Sequence, residues 1–140
     1  MAAVAKPAVI KRLGILIADS KSYSRSLLRS MLLQLGAKSI YEAGDGLAAL
    51  DAMRNLSPDV VVMDWDLPIL SVQDLLRRAR TPGVLLNPRL PIIVISGSGQ
   101  STCVREAIEL GAQQFLVRPI SLKILEQRIV SVVTETRKAA

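Results

Sequence analysis

The 140-residue chain contains no histidine, which excludes Ser-His-Asp and Cys-His catalysis. It has one cysteine, Cys103, so no intrachain disulfide can form and a reduced, cytoplasmic setting is expected. Cys103 falls in a helical stretch without an evident activating base and reads as a packing residue. Aromatic side chains are scarce: Tyr23, Tyr41, Trp65 and Phe115 are too scattered to form the stacking platform of a single-strand binder. Long hydrophobic runs are missing too. After the basic start "MAAVAKPAVIKRLG", the run "ILIA" stops at Asp19, well short of a signal-peptide core or a membrane span, so no membrane association is expected. There is neither an internal repeat nor a low-complexity segment.

What the chain does have is apolar residues, 50% of the total, and a formal charge of +6. That length and composition suit one domain with a substantial core. The positive charge raises the reading of a basic nucleic-acid-binding adaptor. The cations are dispersed along the chain, however, and a solvated basic surface is the simpler expectation.

Short apolar or β-branched runs at 13–18, 39–43, 60–63, 91–96 and 114–117 read as strands. Between them lie helical spacings: Leu27, Leu28, Met31, Leu32 and Leu35; Leu47, Leu50 and Met53; Val72, Leu75, Leu76 and Ala79; Val104, Ala107 and Ile108. A fifth carries Leu122, Leu125, Ile129 and Val132. Gly36 and Gly111 are placed as helix stops, Pro58 closes the second helix, and Ser71 and Ser121 are candidate N-caps. Strands one, three and four lack polar alternation, as expected where helices cover both faces of a parallel sheet. The fold expected is therefore α/β, a doubly wound five-stranded parallel sheet over residues 13–135. Residues 1–12 are expected to be a basic flexible tail and 136–140 a C-terminal one. "TPGVLLNPRL" (81–90) is the one long connection.

In such sheets, ligands bind beyond the carboxyl ends of the strands, where strand order reverses. The first polar side chains there are Asp19, Asp64, Ser96 and Arg118. With the order 2-1-3-4-5, Asp19 and Asp64 become neighbours, with Ser96 and Arg118 on the far side of Asp64. Two acids, a hydroxyl and a cation suit a phosphoryl group and a hard metal ion such as Mg²⁺. Asp64 is then a candidate nucleophile, Ser96 a hydrogen-bonding partner and Arg118 the neutralising charge. A buried structural ion triad explains the same positions equally well.

The stretches "ILIADSKSYSR", "YEAGDGLAAL", "PDVVVMDWDLP", "PIIVISG" and "ELGAQQFLVRPI" resemble the receiver domain of two-component response regulators, over residues 11–135. The order 2-1-3-4-5, flavodoxin-like, comes with that resemblance, since chemotaxis members of the family are standard examples of it. The resemblance implies that Asp64 is a phosphoacceptor charged by a histidine kinase or phosphotransfer protein. It further implies that Ser96 and Phe115 form a switch pair, that Arg118–Pro119 is cis, and that a downstream protein docks on the fourth helix, fifth strand and fifth helix. Such a chain is a single-domain signalling module of a phosphorelay, not an enzyme; a homodimer is left open.

Three departures from the family pattern stand out. Ser20 replaces the usual second acid after the first strand, removing a metal ligand; one charge pair at about 4 Å is worth roughly 4 kcal/mol before compensation. Mg²⁺ binding by Asp19 and Asp64 is accordingly expected to weaken, with Asp66 the candidate substitute ligand. Arg118 stands where the family has lysine, and its planar fork can clamp Asp64 without metal. Ser71-Val72 stands where Asp-Gly is common, so a β-branched residue holds a position that often uses glycine's freedom. A degenerate receiver that binds partners without phosphorylation is the alternative these changes favour. "SGSGQST" (96–102), with Gly97 and Gly99, partly matches a dinucleotide fingerprint, but Thr102 holds the third glycine position and a flexible turn is the simpler reading.

Overall fold

A computed structural model describes residues 6–97 and 101–139; Gly99 of the fingerprint-like stretch lies outside them. The elements are α1 (Lys6–Lys11), β1 (Gly14–Ala18), α2 (Ser22–Gln34), β2 (Ser39–Ala43), α3 (Gly46–Leu56), β3 (Val60–Asp64), α4 (Val72–Arg80), β4 (Ile92–Ser96), α5 (Ser101–Glu109), β5 (Gln114–Val117) and α6 (Leu122–Ala139). The five strands form one parallel sheet in the order β2-β1-β3-β4-β5.

Side chains alternate across a strand, so a strand apolar throughout feeds two cores at once. Leu16, Ala18, Val61, Met63, Ile92 and Val94 point to one face, where α3, α4 and α5 supply Leu50, Leu75, Leu76 and Ala107. Ile15, Ile17, Val60, Val62, Ile93 and Ile95 point to the other, against Leu28 and Leu32 of α2 and Leu125, Ile129 and Val132 of α6. Each fully buried aliphatic side chain contributes roughly 1.5–3 kcal/mol, and both layers need the central strands at once.

The helix punctuation follows local chemistry. Ser71 Oγ accepts from the Asp74 amide and Ser121 Oγ from the Ile124 amide, and Asp45 caps α3 by accepting from the Ala48 amide. Gly36 and Gly111 take the left-handed conformation that ends a helix, with φ of 96° and 110°.

Both expected tails need correction. Residues 6–11 are helical, and Ile10 and Leu13 are buried in the second core, beside α6. The turn that follows α1, closed by the Leu13 amide on the Ile10 carbonyl at 3.1 Å, brings both inward, while Lys11 and Arg12 stay exposed. At the other end α6 continues to Ala139, because "TETRKA" contains no glycine or proline to stop it.

The Arg80 side chain fastens the 81–90 connection to the rest of the fold, and Gln113 Nε2 adds bonds to the Arg89 and Leu90 carbonyls at 3.4 Å. The Arg80 guanidinium donates to the carbonyls of Pro88 (2.9 Å), Leu90 (2.8 Å) and Gly111 (2.6 and 3.0 Å) and to Gln113 Oε1 (2.9 Å). Burial without a counterion pulls its pKa down to about 10. The clip fixes the connection at the end of the sheet opposite Asp19 and Asp64, leaving Leu86 exposed and Leu85 and Leu90 buried.

Candidate functional site

Strand β1 ends at Ala18 and β3 at Asp64, paired side by side, so the residues that leave the sheet there converge. Asp19 is fully buried, Asp64 is 3% exposed and Ser96, at the end of the adjoining β4, is 2% exposed. Arg118 enters from the end of β5, held by its amide donating to the Ser96 carbonyl at 2.8 Å.

One guanidinium nitrogen, Arg118 Nη2, lies 3.3 Å from Asp19 Oδ2, 3.5 Å from Asp64 Oδ2 and 3.2 Å from Ser24 Oγ on α2. The other Asp19 oxygen accepts from the Lys21 amide at 2.9 Å, and Arg25 Nη1 donates to the Asp19 carbonyl at 2.7 Å. Arg25 is itself fixed by Glu42 of β2, which it shares with Arg29. Asp64 Oδ1 accepts from the Asp66 amide at 3.1 Å.

Burial pushes the Asp64 carboxyl above its ordinary value of 3.8. The Asp66 amide and Arg118 oppose that shift, and the charges of Asp19 and Asp66 add to it. Two buried carboxylates facing one guanidinium leave a negative charge to be met. Asp19 and Asp64 thus fit a hard divalent cation, which one or two carboxylates with waters and phosphate oxygens commonly hold. Arg118 stands between the same two oxygens as a competitor.

The structure unites Asp19, Asp64 and Arg118, and puts Ser96 one residue past the Asp64↔Ile95 pair. Asp66 is not brought in: its side chain is exposed, and among the described residues no group of three or more acids, cysteines or histidines could hold a metal ion. Ser20 is exposed as well. Phe115 is half-buried with its ring centroid 6.2 Å from that of Trp65, and Arg118–Pro119 is cis.

The loop after β3 is strained at a different residue from the one expected. Val72 starts α4 in ordinary helical geometry, and the left-handed residue is Ile69, at φ 74° and 76% exposed. A β-branched residue costs about 1–2 kcal/mol in that region. Ile69→Asn, which tolerates it, is expected to stabilise the fold by about 0.5–1 kcal/mol in urea denaturation. The loop also presses on α3: a Cβ on Gly46 would stand 1.8 Å from the Leu70 carbonyl oxygen. Gly46→Ala is expected to cost about 1–3 kcal/mol by the same assay, because backbone must move.

Sequence reasoning missed Ser24. Its only signal was a hydroxyl one turn into the helix that follows Asp19.

A comparison with protein families matches residues 15–130 to the one described as response regulator receiver domain. The chain is 31% identical over 119 residues to chemotaxis protein CheY-3 of Vibrio cholerae, covering 85% of this chain and 90% of the relative. It is 32% identical over 105 residues to chemotaxis protein CheY of Thermotoga maritima, covering 75% and 84%. Among solved structures, the receiver domain of Francisella response regulator 1452 superposes with a TM-score of 0.79 at 24% identity, covering 89% and 99% of the two chains. The receiver domain of the Pseudomonas aeruginosa sensor histidine kinase PA1611, with magnesium coordinated in its active-site cleft, gives 0.78 at 21%, covering 87% and 98%. These two structural likenesses bear on the fold alone.

Proposed function

Because the chain belongs to the receiver-domain family of response regulators, we propose that it accepts a phosphoryl group on Asp64 from a histidine kinase or phosphotransfer protein and signals by protein–protein contact. The observation that carries this reading is the pairing of a buried Asp64 with Asp19 and with Arg118 at 3.5 Å. A carboxylate oxygen of Asp64 attacks phosphorus as the donor's P–N bond breaks. The imidazole leaves with the bonding pair, and the product is an acyl phosphate. Arg118 meets the negative charge of the transferred oxygens, and the Ser96 hydroxyl hydrogen-bonds one of them. Asp19 and Asp64 would hold Mg²⁺, which when bound supplies further neutralisation of the phosphoryl oxygens. The protein is modified by the transfer and is not an enzyme with a released product.

Two surfaces support the partner assignments. Leu27, Leu28, Met31, Pro119 and Ile120 line an apolar groove whose floor includes Ser24 and Arg118, beside the acceptor. Ile108 of α5, Val117 of β5 and Ile124 of α6 are also exposed, which suits a downstream protein. No helix among the described residues is long and apolar enough to cross a membrane.

The contact of Arg118 with both acids favours one second reading, a receiver that binds partners without being phosphorylated. A nucleic-acid adaptor has less support, since Arg25 and Arg29 are engaged by Glu42, Arg77 by Asp74 and Arg80 by its carbonyls. Trp65 adjoins the acceptor, so a small acyl phosphodonor is expected to change its fluorescence in the wild type and not in Asp64→Asn. An unchanged signal in both favours the second reading.

A further inference from the structure

Arg118 Nη2 carries two N–H protons, and three oxygens stand within reach of it, at 3.2 Å (Ser24), 3.3 Å (Asp19) and 3.5 Å (Asp64). Two protons cannot point squarely at three acceptors, so at least one contact is a shared and weaker one. The shorter contacts go to Ser24 and Asp19, so Asp64 is left with the charge of the guanidinium but the weakest hydrogen bond. Ser24 lies in the first turn of α2, which contains no acidic side chain and whose N-cap, Lys21, makes no side-chain capping bond. A cation is disfavoured at that end of a helix. The Ser24 hydroxyl is thus a specific reason for the guanidinium to lean toward α2.

From this we infer that Ser24 is a positioning residue that diverts Arg118 from clamping Asp64 and so keeps the acid pair open to an incoming divalent cation and to phosphoryl oxygens. The inference deepens the receiver reading, since it takes Asp19 and Asp64 as the acceptor site. Without Ser24, both protons of Nη2 turn to the two carboxylates. The guanidinium then competes harder for the oxygens that a metal ion would use, and less of the Asp64 carboxylate is free to attack.

The test is a Mg²⁺ titration of the full chain, followed by Trp65 fluorescence and checked by calorimetry. Ser24→Ala is expected to weaken Mg²⁺ binding by about threefold to tenfold, the range set by the net worth of one ordinary hydrogen bond. Ser24→Thr keeps the hydroxyl and is expected to bind as the wild type does. In an Arg118→Ala background, Ser24→Ala should have no further effect, because it acts through Arg118. Unchanged or tighter Mg²⁺ binding in Ser24→Ala would overturn the inference, as would equal weakening in the Arg118→Ala background. Metal binding requires no phosphorylation. Failure of the phosphodonor experiment alone would therefore count against phosphoryl acceptance on Asp64 and leave the role of Ser24 standing.

Discussion

Arg118→Ala is expected to destabilise the protein by about 2–3 kcal/mol at neutral pH and, at the same time, to tighten its binding of Mg²⁺ by at least about tenfold. Removing one partner of a buried ion pair costs roughly 3–5 kcal/mol, because the charge left behind stays desolvated. Arg118 is 31% exposed on its side chain, so solvent already screens part of its attraction and the lower figure applies. Asp19 and Asp64 are then left as two buried like charges, an arrangement relieved by a divalent cation. Millimolar Mg²⁺ should accordingly restore much of the lost stability in Arg118→Ala while changing the wild type little. Urea denaturation with and without Mg²⁺ measures both effects. Arg118→Lys should fall between, since an ammonium keeps the charge but loses the planar fork. Equal stability of Arg118→Ala and wild type without metal would mean that the guanidinium does not hold the acids.

Asp64→Asn is expected to have the opposite effect on stability. Burial is the largest influence on Asp64 and raises its folded pKa above the unfolded value of 3.8, so holding it ionised at neutral pH costs folding free energy. Asparagine removes that cost and keeps an acceptor for the Asp66 amide. The gain should exceed the ~0.5 kcal/mol typical of surface substitutions. The folded state binds this proton more readily than the unfolded chain does. The wild type therefore gains on the variant as pH falls through the raised folded pKa, and the gap stops changing below 3.8. Urea midpoints for both proteins at neutral pH and near pH 4 test this. A gap that widens on acidification would contradict the direction of the shift.

Much of this was legible because a strand buried on both faces has little room for polar residues. "VVVMD" and "PIIVIS" therefore announce both their place in the sheet and, by the first polar residue, where the chain leaves it. Asp19, Asp64, Ser96 and Arg118 were found in that way. Less visible were contacts that depend on three-dimensional proximity alone. Ser24 meets Arg118 across 94 positions of sequence, and Arg80 meets Gly111 across 31. At the N-terminus, the basic pair Lys11 and Arg12 gives the stretch the look of a solvated tail, while the buried Ile10 is what seats α1. Asp66 lies two residues past Asp64, where its side chain is exposed and its amide donates to the Asp64 carboxylate. In the same loop, the left-handed conformation falls on Ile69, which has no glycine-like signature to betray it.

The most direct test of phosphoryl acceptance is intact mass after incubation with a small acyl phosphodonor, in Mg²⁺ and in chelator, for wild type and Asp64→Asn. A single phosphoryl adduct in the wild type, absent from Asp64→Asn and increased by high Mg²⁺, is the result expected of an acceptor whose acids are shared between Arg118 and a metal ion. No adduct at any Mg²⁺ concentration, or one that persists in Asp64→Asn, would contradict it.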